Sequence, residues 1–198
     1  MTVSLDNPRR MTKLDAVNIM LRNIGEDPVS ILGETAKPSA QKATAVLGET
    51  SVTVQDMGWN FCSDENYTLA VNTDGEIVLP ANLLSFHPVY TSVADRVVET
   101  DGKLYDTYNN TFIFEEAVIV NAVFARAFED LPQTARNYIT LLASLSFSNT
   151  ENPGGDGGRV SEIQLQEAKR QVEVYDRRLI KGGLRRVNPH IRRLRGNR

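Results

Sequence analysis

Few residues in this chain could carry out covalent chemistry. The two histidines are His87, beside Pro88, and His190, close to the C-terminus. Neither belongs to a Cys/His/Asp cluster at metal-ligand spacing, so a packed or solvated imidazole is the expectation for both. A single cysteine, Cys62, excludes an intrachain disulfide and leaves any metal site short of thiolates. It reads as a small apolar residue. No G-x-S-x-G elbow offers a serine nucleophile. The glycine-rich run NPGGDGGR at 152–159 lacks the Lys-Ser/Thr of a phosphate-binding loop and reads as a linker. Carboxylates neighbour one another at Asp64-Glu65, Asp74 and Glu76, Glu115-Glu116 and Glu129-Asp130. Two carboxylates held about 5–9.5 Å apart can cleave a glycosidic bond, which keeps a carbohydrate hydrolase as a remote alternative. Any acidic chain offers such pairs by chance. No catalytic, metal-binding or cofactor-binding residue is assigned, and a non-enzymatic protein is expected.

Charge is the stronger signal. The chain has a formal net charge of -3, yet from Arg177 onward it carries nine cations and no acid. The remaining 13 cations and all 25 acids precede that point, so an acidic body of -12 adjoins a basic end of +9. Eight of the nine cations are arginines: Arg177, Arg178, Arg185, Arg186, Arg192, Arg193, Arg195 and Arg198, with Lys181 the exception. Interspersed are the apolar residues Leu184, Val187, Ile191 and Leu194. Nucleic acid, a membrane surface and an acidic protein are the three partners such a segment could take. The N-terminus has no signal-like apolar stretch and no apolar run reaches eighteen residues, so neither a secretory leader nor a membrane anchor is expected.

Hydrophobic periodicity indicates the elements that must hold these residues. Thr12-Lys13-Leu14-Asp15 has the form of a capping box, and Leu14, Val17, Met20, Leu21 and Ile24 share a helical face, predicting a helix over 12–25. A second helix is predicted over 39–57 from the stripe Ala43, Val46, Leu47, Thr50, Val54 and Met57. After Trp59 the period becomes strand-like, and a β-rich lobe is predicted over about 60–128. In it Tyr67, Leu69 and Val71 alternate, and 76–79 is the expected hairpin partner across the turn Thr73-Asp74-Gly75. Residues 95–100, 103–108 and 111–115 read as a meander. The run AVIVNAVFA at 117–125 reads as a strand buried on both faces. A third helix is predicted over 132–149, with Ala135, Tyr138, Ile139, Leu142 and Ser146 on one face. A fourth is predicted over 160–180, with Leu165, Ala168, Val172, Tyr175 and Leu179 as its seam and Glu173–Arg177 as a surface pair. Gly182-Gly183 and Pro189 are expected to leave 182–198 as an extended basic tail. The fold class expected is α+β: a bundle of four main helices, two N-terminal and two C-terminal, with an inserted antiparallel β-rich lobe, forming one domain over 1–181.

Five segments resemble, in sequence and in order, the tail tubular protein A family of short-tailed podophages. They are NIGEDPVSIL (23–32), DMGWNFCSDENYTL (56–69), GEIVLPANLLSF (75–86), DGKLYDTYNNTFIF (101–114) and FEDLPQTARNYITLLASLSF (128–147). The resemblance implies a head-to-tail adaptor, or gatekeeper, at the head-tail junction of the virion after synthesis in the host cytoplasm. It implies a dodecameric ring below the portal and above the nozzle of tail tubular protein B. Such a ring forms part of the double-stranded DNA channel without binding DNA specifically, and helps anchor tail fibres. The glycine-rich run and the basic finish depart from the family pattern. A ring needs two unlike surfaces that fit each other, and Trp59, Phe61 and Phe86 are candidates for such a subunit seam; burial within their own chain is the alternative for each.

In that context the tail reads best as a protein-docking segment. Each phosphate it neutralised would add about -0.9 to the slope of log affinity against log salt, so a ring of such tails would hold back the genome it must release. A nucleic-acid-binding protein using this tail is the main alternative. The apolar residues, interrupted by Pro189, are too few for a membrane anchor. The planar fork of arginine matches carboxylates in a way lysine does not, so Arg177, Arg178, Lys181, Arg185, Arg186, Arg192, Arg193, Arg195 and Arg198 are expected to pair with acids on the portal or a neighbouring subunit. Leu184, Val187, Ile191 and Leu194 would fill small pockets beside them.

Overall fold

The computed structural model describes residues 9–89, 96–151 and 160–187, with side chains as far as Leu179. The expected glycine-rich linker and the segment from 188 onward lie outside the described residues. The described residues form a mixed α+β chain: four helices, α1 (Lys13–Asn23), α2 (Pro38–Gln55), α3 (Gln133–Glu151) and α4 (Glu162–Val187), and five strands. The strands are β1 (Ser63–Leu69), β2 (Leu83–Pro88), β3 (Val97–Thr100), β4 (Lys103–Asp106) and β5 (Val118–Phe124). Contacts divide the chain into a helical unit, Met1–Val54 with Ala127–Arg198, and a β unit, Gln55–Arg126.

In the helical unit, α1 starts as its sequence demands. Asp15 N–H donates to Thr12 Oγ1 at 3.2 Å, and Thr12 N–H donates back to Asp15 Oδ2 at 2.9 Å. Helix α1 buries Ala16, Val17, Met20 and Leu21, then ends where Gly25 takes φ 84. Asn18 fixes the following loop by exchanging two hydrogen bonds with the Val29 backbone, at 2.8 and 3.0 Å. Helix α2 buries Ala40, Ala43, Leu47, Ser51 and Val54. Met57, expected on its stripe, lies beyond the helix end and is exposed.

Helix α3 packs against both α1 and α4. Its buried face carries Ala135, Tyr138, Ile139, Ala143 and Phe147, and also Arg136, Thr140, Ser144 and Ser148. The expected Ser146 is instead exposed, because the buried stripe passes through Phe147. Arg136 is 2% exposed. Its Nε donates to Leu131 O at 2.8 Å and Nη1 to Met11 O at 2.6 Å, and Nη2 bonds Glu129 O. Burial lowers the pKa of Arg136, and the Arg10 charge adds to this, against Glu129 and Asp130. The N-terminal segment is tied down here as well: Met11 N–H donates to Gln133 Oε1 at 2.9 Å, and Lys13 N–H to Glu129 Oε1 at 3.1 Å.

The β unit holds a three-stranded antiparallel sheet in the order β1-β5-β2 and the two-stranded ladder β3-β4. The turn after Asn72 forms as expected, with Asn72 Oδ1 accepting from Asp74 and Glu76 N–H groups, both at 2.9 Å. The hairpin does not form. Strand β1 pairs with β5, Leu69 opposite Val118, whereas 76–79 crosses to β4 and 113. Leu104 N–H donates to Ile77 O and Leu79 N–H to Gly102 O, each at 2.9 Å. A turn reverses the chain, but the partner is chosen by which apolar faces close together. Here Leu69, Ile77, Leu79, Leu104, Phe114, Val118, Val120, Ala122 and Phe124 make one core. Strand β5 alternates instead of burying both faces: Val118, Val120, Ala122 and Phe124 point inward, and Ile119 and Asn121 are exposed. Thr111 and Ile113 make single bridges and no third meander strand.

The first and last residues of the β unit are bonded to each other. Arg126 N–H donates to Gln55 Oε1 at 2.7 Å, and Gln55 Nε2 donates to Arg126 O at 3.2 Å. The buried Cys62 thiol also donates to Gln55 Oε1, at 3.5 Å.

Candidate functional site

Helix α4 carries the basic end. Ser161 caps it: Gln164 N–H donates to Ser161 Oγ at 3.2 Å, and Ser161 N–H donates to Gln164 Oε1 at 3.1 Å. Ala168, Val172 and Asp176 are buried along its seam, Leu165 and Tyr175 are half-buried, and Leu179 is exposed. On its outer face Arg170 grips Glu167 through two 2.8 Å bonds. Those bonds, with a further one from Gln171, hold the Glu167 carboxyl down to about 2.

Arg177 and Arg178 are exposed, immediately past the last buried position. The expected Glu173–Arg177 ion pair is replaced by a bond from Arg177 Nε to the Glu173 carbonyl oxygen at 3.2 Å. The helix does not stop at Gly182-Gly183 but runs to Val187, placing Lys181, Leu184, Arg185, Arg186 and Val187 on helical backbone. Glycine costs about 1 kcal/mol per residue against alanine within a helix, which weakens it without forbidding it as proline would. Ile191, Arg192, Arg193, Leu194, Arg195 and Arg198 lie outside the described residues, as does His190.

The three aromatic candidates are in the β unit, and two of them come together. Trp59 and Phe61 stack with centroids 6.0 Å apart and planes 8° from parallel, both half-buried. Phe86 pairs across the sheet with Ala122 and packs against the core.

Of the carboxylate neighbours, Asp64 lies 3.6 Å from Arg126 and Glu76 2.7 Å from Lys103. Among the described residues no group of three or more His, Cys, Asp or Glu could hold a metal ion. His87 is exposed on β2.

Charge divides along the two units. The β unit has three cations against eleven acids, a formal charge of -8, and the helical unit 19 cations against 14 acids, or +5. Each cation of the β unit is already committed to an acid of the same unit: Arg126 to Asp64, Lys103 to Glu76, and Arg96 to Asp106 at 3.5 Å.

Asp106 is the most elaborately held of these acids. Its burial, which would raise the pKa, is outweighed by hydrogen bonds from the Asn109 and Tyr108 N–H groups, by the Arg96 charge and by the Asn109 side chain, and the carboxyl falls below its ordinary range. The turn it organises reverses through Asn110 at φ 52.

One surface escaped the sequence reading: the outward face of the β3-β4 ladder. Val98 is opposite Tyr105, Val78 bridges to Lys103, and Glu76 bridges to Ile113, which places Val78, Val98 and Ile113 on the face away from the core. They are 57%, 43% and 55% exposed. The signal was present in Ile77-Val78-Leu79 and Phe112-Ile113-Phe114. In extended backbone a run of three apolar residues must turn one of them away from the others.

Two comparisons place the chain among known proteins. A family model described as Tube, tail tubular protein, matches residues 14–181. The chain is also similar to Tail tubular protein A of Klebsiella phage KP34, at 32% identity over 166 residues, covering 79% of this chain and 87% of that protein.

Proposed function

This chain belongs to the tail tubular protein family, and we propose that, as a structural component of a phage tail, it is the head-to-tail adaptor of its virion. Copies form a ring, dodecameric by family resemblance, between the portal and the nozzle built by tail tubular protein B. The ring lines the path of the double-stranded DNA without holding it, and contributes to tail-fibre attachment. It works through shape-matched surfaces and not through an active site. The four helices act as a bundle, with the β-rich lobe inserted in sequence between α2 and α3, and the basic end of α4 with the tail beyond it docks on acidic protein surface.

The observation that carries this reading is the family match, which spans both units and stops at 181, where the basic end is under way. Trp59 and Phe61 remain candidates for the seam between subunits. No described helix is long and apolar enough to cross a membrane. Electron microscopy of the purified chain with and without portal tests the proposal. Rings, formed alone or nucleated by portal, are expected; copies that associate neither with each other nor with portal would overturn it. The same arginines favour nucleic-acid binding if DNA retention falls steeply with salt and vanishes when 182–198 is deleted.

A further inference from the structure

The outward face of the β3-β4 ladder has the composition of an interface. Val78, Val98 and Ile113 are exposed on a face that they share with Tyr105 and the Lys103–Glu76 ion pair, on a ladder whose other face covers a core. A monomer gains nothing from leaving these apolar side chains in water, and apolar residues interspersed with charge suit a protein contact. The rim here is acidic. Asp101 sits in the turn whose Gly102 carbonyl receives Leu79 N–H, and Glu115 and Glu116 come two and three residues after Ile113. All three are exposed and make no ion pair among the described residues, and Lys103, the cation of this face, is held by Glu76.

The same chain carries the complementary composition. Residues 184–198 contain six arginines and no acid, with Leu184, Val187, Ile191 and Leu194 between them. Apolar residues interspersed with arginines match exposed apolar residues interspersed with carboxylates, and a unit of -8 attracts a segment of this charge. Two unlike surfaces on one chain that fit each other are what a head-to-tail contact between copies requires.

We propose that the β3-β4 outward face receives the basic C-terminal segment of a second copy of this chain. Leu184 and its apolar neighbours cover Val78, Val98 and Ile113, while the arginines pair with Asp101, Glu115 and Glu116. The inference rests on the assembly reading above and specifies one of its contacts.

Cysteine cross-linking of full-length chains tests it. One preparation carries Val78→Cys and a second, mass-tagged, carries Leu184→Cys. On mild oxidation the mixed disulfide is expected to form about tenfold or more faster than with Ala45→Cys, an exposed position on α2, in place of Val78→Cys, because docking raises the effective concentration. About 0.5 M salt should slow it by screening the charge pairs. Glu115→Arg with Glu116→Arg should slow it too, and Arg192→Glu with Arg193→Glu in the partner should restore it. A mixed disulfide no faster than the Ala45→Cys control would overturn the proposal. So would a chain bearing both cysteines that closes only on itself, or a charge exchange that fails to restore the rate. If cross-linking fails while the wild-type chain still binds portal, this contact is wrong and the adaptor reading stands; a chain that binds neither portal nor its own copies removes both.

Discussion

The helical unit and the β unit handle polar groups in opposite ways. In the helical unit Arg136 is taken inside, and its guanidinium is satisfied by three backbone carbonyls, those of Leu131, Met11 and Glu129, instead of a carboxylate. In the β unit the cations are held in ion pairs with carboxylates, and the acids outnumber them. The helical unit takes a charged group into its interior; the β unit carries its charge outside, with acids in excess. Uncompensated charge lowers the stability of an isolated chain, and the larger excess, -8 against +5, falls on the β unit.

The sharpest way to break this comparison is to remove the buried cation. Arg136→Met keeps the apolar stem but strands three carbonyls, and is expected to cost about 3 kcal/mol. In urea, circular dichroism at 222 nm follows the helices, while Trp59, the only tryptophan, follows the β unit. The helical midpoint should fall further than the Trp59 midpoint; equal shifts would show the two units to be one cooperative structure.

A smaller effect is expected at the start of α1. Thr12→Ala removes the capping hydroxyl and should cost about 1 kcal/mol. Burial works to raise the pKa of Asp15, but the bonds from Thr12 and the charge and bond of Arg9 outweigh it. Losing Thr12 should therefore move the Asp15 carboxyl upward in an NMR titration.

The mildest effect is local and pH-dependent. The folded pKa of Asp106 is depressed, so its contribution is present above the unfolded value, about 3.9, and fades as pH falls through the folded value. Amide exchange at Tyr108 and Asn109 should lose protection in that acid range before the core strands do, and Asp106→Asn should abolish the pH dependence. Retained protection would mean that the turn is held by its backbone alone.

Local signals in the sequence proved readable and distant ones did not. Thr12 with Asp15, Gly25 at the end of the first predicted helix, and the turn Thr73-Asp74-Gly75 each act within a few residues, and each marked a boundary that the structure has. The partner of β1 was not readable, because Leu69 meets Val118 only after the chain has made two other excursions, and alternation is the same whichever strand completes it. Asn121 within AVIVNAVFA was the clue that one face of β5 meets water. Arg136 was missed for a different reason: an arginine in the first turns of a helix reads as surface, and only the carbonyls of Met11, Glu129 and Leu131, which converge in space, show otherwise. For the candidate site, the basic character of the chain end was plain in composition, whereas the outward face that carries Val78, Val98 and Ile113 needed the register of three chain segments.

The clamp between Gln55 and Arg126 has a consequence for how the chain can vary. Because the backbone leaves and re-enters the β unit at two residues joined by hydrogen bonds at 2.7 and 3.2 Å, the gap it must span there is the same however long the excursion between them. Changes inside that excursion that keep the Gln55–Arg126 bonds leave the width of this doorway unaltered.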